Sequence, residues 1–104
     1  MFESKAKIKT TKFLRHIEFL GLKSSDRVVN GFQAAEKELL KQFTAESLDL
    51  IEHNEWGVGL ENLLTNIYEI EFTLDIRAVE LAKDAMGECG LDYSGWTFIE
   101  ELVK

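Results

Sequence analysis

The sequence predicts an all-α fold, a compact single-domain bundle of five to six helices. Three observations carry that expectation. Apolar residues recur mostly at spacings of three and four, the period of one helix face. Proline is absent, so no helix interior carries its steric break. The chain has 104 residues, 45% of them hydrophobic, and shows no Gly/Ser-rich linker, low-complexity tract or internal repeat. That length and composition suit one core, and hence one domain over residues 1–104.

The first helix runs through Ile8, Phe13, Ile17 and Leu20, widened by Leu14 and Phe19, and Gly21 is its natural stop. Ser25 and Asp26 are candidate caps for a second helix with Val28, Phe32, Ala35 and Leu39 on one face. Asn30-Gly31 interrupts that stripe and is a place for the segment to divide. Thr44 reads as the N-cap of a short helix holding Leu48, Leu50 and Ile51, with Glu46 favourable in its first turn. Asn54, tolerant of the left-handed conformation, closes it. A longer helix follows from about Glu55 and buries Trp56, Leu60, Leu63, Leu64 and Ile67.

Residues 70–74 alternate apolar and polar, yet no second alternating run exists to pair with them. They read as an extended connector, since a lone strand leaves its backbone groups unsatisfied. Thr73 is the expected cap of the next helix, with Asp75 in its first turn and Ile76, Val79, Ala82 and Met86 facing in; Gly87 and Gly90 end it. A last helix is expected from about Ser94, with Trp96, Ile99 and Val103 inward.

Catalysis requires a nucleophile, an acid–base group or a metal in a suitable constellation, and the residues offer none. The histidines are His16 and His53. His16 reads as a boundary residue. His53, between Glu52 and Glu55, invites a metal reading, but stable zinc sites take about four ligands dominated by histidine or cysteine. A histidine meeting the negative end of a helix dipole is the better account. Cys89 has acidic Glu88 beside it and no local base, so it reads as a packed thiol and not a nucleophile. Gly57-Val58-Gly59 lacks the third glycine and preceding strand of a phosphate loop; close helix packing explains it better. The carboxylate pairs Glu69/Glu71 and Glu100/Glu101 read as solvated faces. No cofactor, no metal and no enzymatic activity are expected.

Charge is the remaining signal. The net charge is −7, unevenly spread: residues 1–23 carry six basic side chains against two acidic, residues 24–104 six against seventeen. Such a field repels phosphate backbones and anionic lipid and attracts basic proteins, so neither nucleic acid nor membrane is an expected direct partner. No apolar run approaches the roughly 20 residues of a membrane span. No signal-peptide pattern opens the chain, and a single cysteine suits a reducing compartment, so a cytoplasmic location is expected. Glu52, Glu55, Glu69, Glu71 and Asp75 are the expected partner-binding acids, with Tyr68 and Phe72 as apolar anchors near their centre. Tyr68 and Phe72 as plain core residues, among acids that merely solvate, is the competing account.

The run Leu50-Ile51-Glu52-His53-Asn54-Glu55-Trp56-Gly57, continuing through Leu60-Glu61-Asn62-Leu63 to Asn66-Ile67-Tyr68-Glu69, resembles the MafI family of bacterial immunity proteins. The resemblance extends to Gly90-Leu91-Asp92 and to Trp96-Thr97-Phe98-Ile99-Glu100-Glu101-Leu102, so it covers residues 50–104. Relatives of this kind are similar to immunity partners in contact-dependent growth inhibition. The resemblance implies a cytosolic antitoxin that binds the toxin domain delivered by a neighbouring cell, usually a nuclease, as a 1:1 complex. It assigns no toxin-contacting residue; His53, Trp56, Glu61 and Asn66 read as serving the helical hairpin. A ribonuclease is the favoured target, because nucleases present Lys and Arg to their substrates. The alternative is a non-catalytic helical adaptor that recruits some other basic protein.

Overall fold

A computed structural model describes residues 4–24, 27–29 and 31–104. Its described residues form four α-helices, a short hairpin and two 3-10 helices, in the order α1 (Lys5–Leu22), β1 (Val28–Val29), β2 (Ala34–Ala35), α2 (Glu36–Glu52), α3 (Trp56–Glu69), α4 (Ile76–Glu88), then 3-10 turns at Tyr93–Gly95 and Thr97–Leu102. The expected all-α bundle is therefore what the chain builds. α1 is the central element, packed against α2, α3 and α4, while α2 packs along α3.

The core follows from the apolar stripes. Phe13, Leu14 and Ile17 of α1 meet Leu60, Leu63, Leu64 and Ile67 of α3, Ala82, Ala85 and Met86 of α4, and Ile99 from the tail, all at most 1% exposed. α1 and α4 run antiparallel: Thr10 Oγ1 lies 3.5 Å from Cys89 Sγ at one end, and His16 Nε2 lies 2.9 Å from Asp75 Oδ1 at the other. α2 and α3 approach closely at Gly59, where an added Cβ would sit 3.1 Å from the Ser47 carbonyl oxygen and 3.2 Å from Ile51 Cγ1. The buried Ser47 hydroxyl donates to the Gly59 carbonyl there at 2.8 Å. Helix packing, the expected role of this glycine segment, is what Gly59 does.

Helices α2, α3 and α4 end alike. In each, the residue after the cap takes a left-handed conformation: Asn54 (φ 62), Glu71 (φ 54) and Gly90 (φ 74). The following N–H then reaches back to a carbonyl of the last turn, Glu55 to Leu50 at 2.9 Å, Phe72 to Ile67 at 3.0 Å and Leu91 to Met86 at 2.9 Å. Asn54 and Gly90 were expected stops. Glu71 was not.

Several boundaries differ from the sequence expectation. The caps Ser25 and Asp26 lie outside the described residues. Val28 and Ala35, expected on one helix face, instead pair across an antiparallel hairpin (Val28↔Ala35, Val29↔Ala34) whose turn holds Gly31 at φ 91 and Gln33 at φ 54. Of the division expected at Asn30-Gly31, Asn30 lies outside the described residues, and Gly31 stands in a turn between the strands. Thr44 does not cap a helix but lies inside α2, its hydroxyl donating back to the Leu40 carbonyl at 2.9 Å. Two predicted helices are one.

Asp75, not Thr73, caps α4; its carboxylate accepts from the Ala78 N–H at 2.8 Å. Gly87 lies within that helix. The segment 70–74 is a connector, with Ile70, Phe72 and Leu74 buried and only one isolated bridge, Leu74 to Val103. The tail forms 3-10 turns in place of an α-helix, and it buries Ile99 and Leu102, while Trp96 and Val103 stay half-buried.

Candidate functional site

The seven expected partner-binding residues separate into three places. Glu52 ends α2 and Glu55 precedes α3, both exposed. Tyr68, Glu69, Glu71 and Phe72 gather at the other end of α3, across a 14-residue helix of about 20 Å. Asp75 stands at the start of α4. Tyr68 and Phe72 therefore stand with Glu69 and Glu71 alone, and not near the centre of all five acids.

The group at the end of α3 is the best-formed site. It borders an open groove of about 1270 Å³ between the C-terminal end of α1, the segment around Arg27 and Glu36, the connector and the tail. Tyr68 is 37% exposed. Its ring stands edge-on to Phe98 with centroids 4.6 Å apart, and its hydroxyl donates to Glu101 at 3.1 Å. That bond, and the charge of Glu101, raise the phenol's pKa and keep it a neutral donor. Glu71 is displayed by the left-handed turn that closes α3, and Glu69 by its last residue.

Phe72 requires a correction. It is 3% exposed and belongs to the core cluster, so it forms the floor behind Tyr68 and cannot be a projecting anchor. The same N–H that closes α3 turns its side chain inward. Asp75 is also engaged elsewhere, by His16 at 2.9 Å and by the cap of α4. Partial burial would raise its pKa, but the bonds from His16 and the Ala78 N–H outweigh burial and hold it below the ordinary carboxylate value. A carboxylate so committed is a structural element first.

The groove is not uniformly negative. Lys23, Arg27 and Lys104 line it with Glu36, Glu69, Glu71 and Glu101. Arg27 is bonded to Glu36, itself 7% exposed, and donates to the Ile70 carbonyl at 3.0 Å, which ties the hairpin to the end of α3. Lys23 lies over the Phe19 ring at 4.2 Å. Glu69, Glu71 and Glu101 make no ion pair with a basic group among the described residues. The Glu101 contact, 33 residues from Tyr68, had no signature in the sequence. The neighbouring carboxylates Glu100 and Glu101 serve different tyrosines, Tyr93 at 2.6 Å and Tyr68.

His53 is the C-cap of α2, and its Nδ1 meets the Asp49 carbonyl at 2.7 Å. That backbone bond, with the Asp49 carboxylate, raises its pKa. This is the helix-end role the sequence suggested. No group of three or more His, Cys, Asp or Glu is disposed to hold a metal ion among the described residues, and no described helix is long and apolar enough to cross a membrane. Comparison with family models, with curated proteins and with solved structures finds no match to this chain.

Proposed function

We propose that this chain is an immunity protein of the MafI type, a cytosolic antitoxin that binds a basic toxin domain and covers its active site or substrate surface. A ribonuclease of a contact-dependent inhibition system is the favoured target, bound as a 1:1 heterocomplex. The observation that carries the reading is the set of carboxylates Glu69, Glu71 and Glu101, none in an ion pair among the described residues, around the half-exposed Tyr68. Carboxylates fixed at a helix end and backed by a packed aromatic pair are poised to replace phosphates on a Lys/Arg surface. The motif residues from Leu50 to Glu69 support the same reading.

Relative to the sequence expectation, the proposed contact moves toward the α3 end: Tyr68, Glu69, Glu71 and Glu101 form its centre, and Glu52 and Glu55 lie outside it. The test is co-expression with a candidate toxin domain, taken from the C-terminal end of any large secreted protein found encoded beside this chain. Rescue of growth is expected, with loss of rescue on replacing Tyr68, Glu69 and Glu71 together by alanine. A folded triple variant that still rescues removes this surface from the proposal. A wild-type chain that rescues from no such domain removes the immunity reading itself and leaves the adaptor.

A further inference from the structure

The outward face of α1 departs from the polar surface expected of a solvent-facing helix side. Opposite its buried row run Lys5, Ile8, Lys12, Arg15, Phe19 and Leu22, spaced alternately three and four. Ile8, Phe19 and Leu22 are 46%, 49% and 75% exposed. The adjacent α2 presents the opposite sign, with Glu38, Glu46, Asp49 and Glu52 exposed. The two helices are antiparallel neighbours: Gly21 lies against Leu40, and Ile8 and Lys12 share a shallow groove with Leu48 and Glu52. That seam has an apolar floor, Ile8, Leu48 and Ile51, with Lys7 and Lys12 on the α1 bank and Glu52 on the α2 bank.

We infer that this two-helix face binds a second copy of the same chain about a two-fold axis parallel to the helices. Rotation about such an axis preserves height and exchanges left for right, so α1 of each copy lies on α2 of the other. Lys12 then stands level with Asp49 of the second copy, and Glu52 falls at a height between Lys5 and Lys12. An axis across the helices would instead set α1 antiparallel on α1 and bring Lys12 against Arg15. Charge therefore selects the symmetry. Phe19 and Leu22 fall level with the long stems of Lys41 and Glu38, which can cover apolar rings and methyls.

Helices of 18 and 17 residues are each about 26 Å long, and two side by side span about 20 Å. Such a footprint is on the order of 500 Å² per copy, small beside the roughly 800 Å² of a standard partner surface, so the dimer is weak and salt-sensitive. The proposal uses no residue at the centre of the proposed toxin contact, and it stands or falls apart from that reading.

Sedimentation equilibrium of the intact chain tests it without any toxin. The mass is expected to rise from 11.9 kDa toward twice that value with concentration, and the rise to disappear in high salt. Lys5→Glu with Lys12→Glu, and separately Asp49→Lys with Glu52→Lys, should each give a folded monomer by circular dichroism. An equimolar mixture of the two should regain the dimer mass, because both seams are then attractive again. Should a reversed variant lose its helical signal, Phe19→Ser with Leu22→Ser replaces it, with loss of the mass rise expected. A wild type that stays at 11.9 kDa overturns the inference, as does a mixture of folded variants that stays monomeric. A monomeric wild type that binds anionic vesicles also overturns it, and assigns the row to a lipid surface.

Discussion

Glu71 occupies a backbone position that L-residues avoid. At φ 54 it sits where Asn54 and Gly90 sit in the other two helix ends, yet it has a Cβ and a long charged side chain. A left-handed non-glycine residue costs roughly 1–2 kcal/mol, part of which glycine would return through its larger unfolded-state entropy. Glu71→Gly is therefore expected to stabilise the chain by about 0.5–1 kcal/mol, a few degrees in Tm for a domain of this size. Glu71→Gln keeps the backbone cost and removes only the charge. If thermal melts show the same gain for both, like-charge repulsion and not backbone conformation is the cause. A residue that costs stability at the centre of the proposed contact is consistent with one retained for binding.

Asp75 gives a pH signature whose sign follows from its environment. Its folded pKa lies below the ordinary value, so it contributes stability that is present above the unfolded value of about 3.9 and is lost as pH falls through the folded value. The carboxylate is 46% exposed, and solvent screening keeps the contribution small. Asp75→Asn retains a capping oxygen but cannot titrate. The variant should lose less stability than the wild type between pH 5 and pH 2 in denaturant melts; parallel curves would show that the bonds from His16 and the Ala78 N–H together add no pH-dependent stability. His53 has the opposite sign: its raised pKa contributes below about 6.5, and that contribution is lost as pH rises through the folded value.

Among the elements, α2 starts without a side-chain cap. Ala35 occupies its N-cap with an extended backbone (φ −70, ψ 146) and makes no cap bond, while Glu36 and Glu38 supply negative charge in the first turn. Ala35→Ser places a hydroxyl where it can accept from the Glu38 N–H and should stabilise by about 0.5–1 kcal/mol. An unchanged melting midpoint would mean that hairpin pairing with Val28 holds the backbone away from cap geometry. The same region departs furthest from the sequence expectation. Thr44 carries the local signature of a helix start, but its hydroxyl is absorbed by the Leu40 carbonyl and the apolar stripe continues through it. Cap residues mark where a helix can begin; packing of Leu39, Leu40, Phe43 and Ile51 decides that this one begins earlier.

At the scale of the whole molecule, charge and scaffold combine. Salt screens exposed charges within about 8 Å at physiological ionic strength, so an acid-driven complex associates more slowly as salt rises. Under the proposed immunity reading, the rate of association with the toxin domain is expected to fall steeply with ionic strength for the wild type and weakly for the chain lacking Glu69 and Glu71. Identical salt slopes in stopped-flow binding would mean these acids do not steer the encounter. The fold supplies rigidity for such a surface, because α1 ties α2, α3 and α4 into one core.

The sequence by itself determined the helical class, most of the buried stripe residues, the helix stops at Asn54 and Gly90 and the uneven charge. All of these are local or periodic properties, set by neighbours three and four residues away. Only the tertiary structure decided which acids share a surface, that Phe72 faces the core, that Tyr68 bonds Glu101, and that His16 takes Asp75 from 59 positions away. Helical period fixes which side of its own helix a residue occupies. Where that side comes to rest depends on how α1, α3 and the tail pack, and no spacing within one segment encodes that.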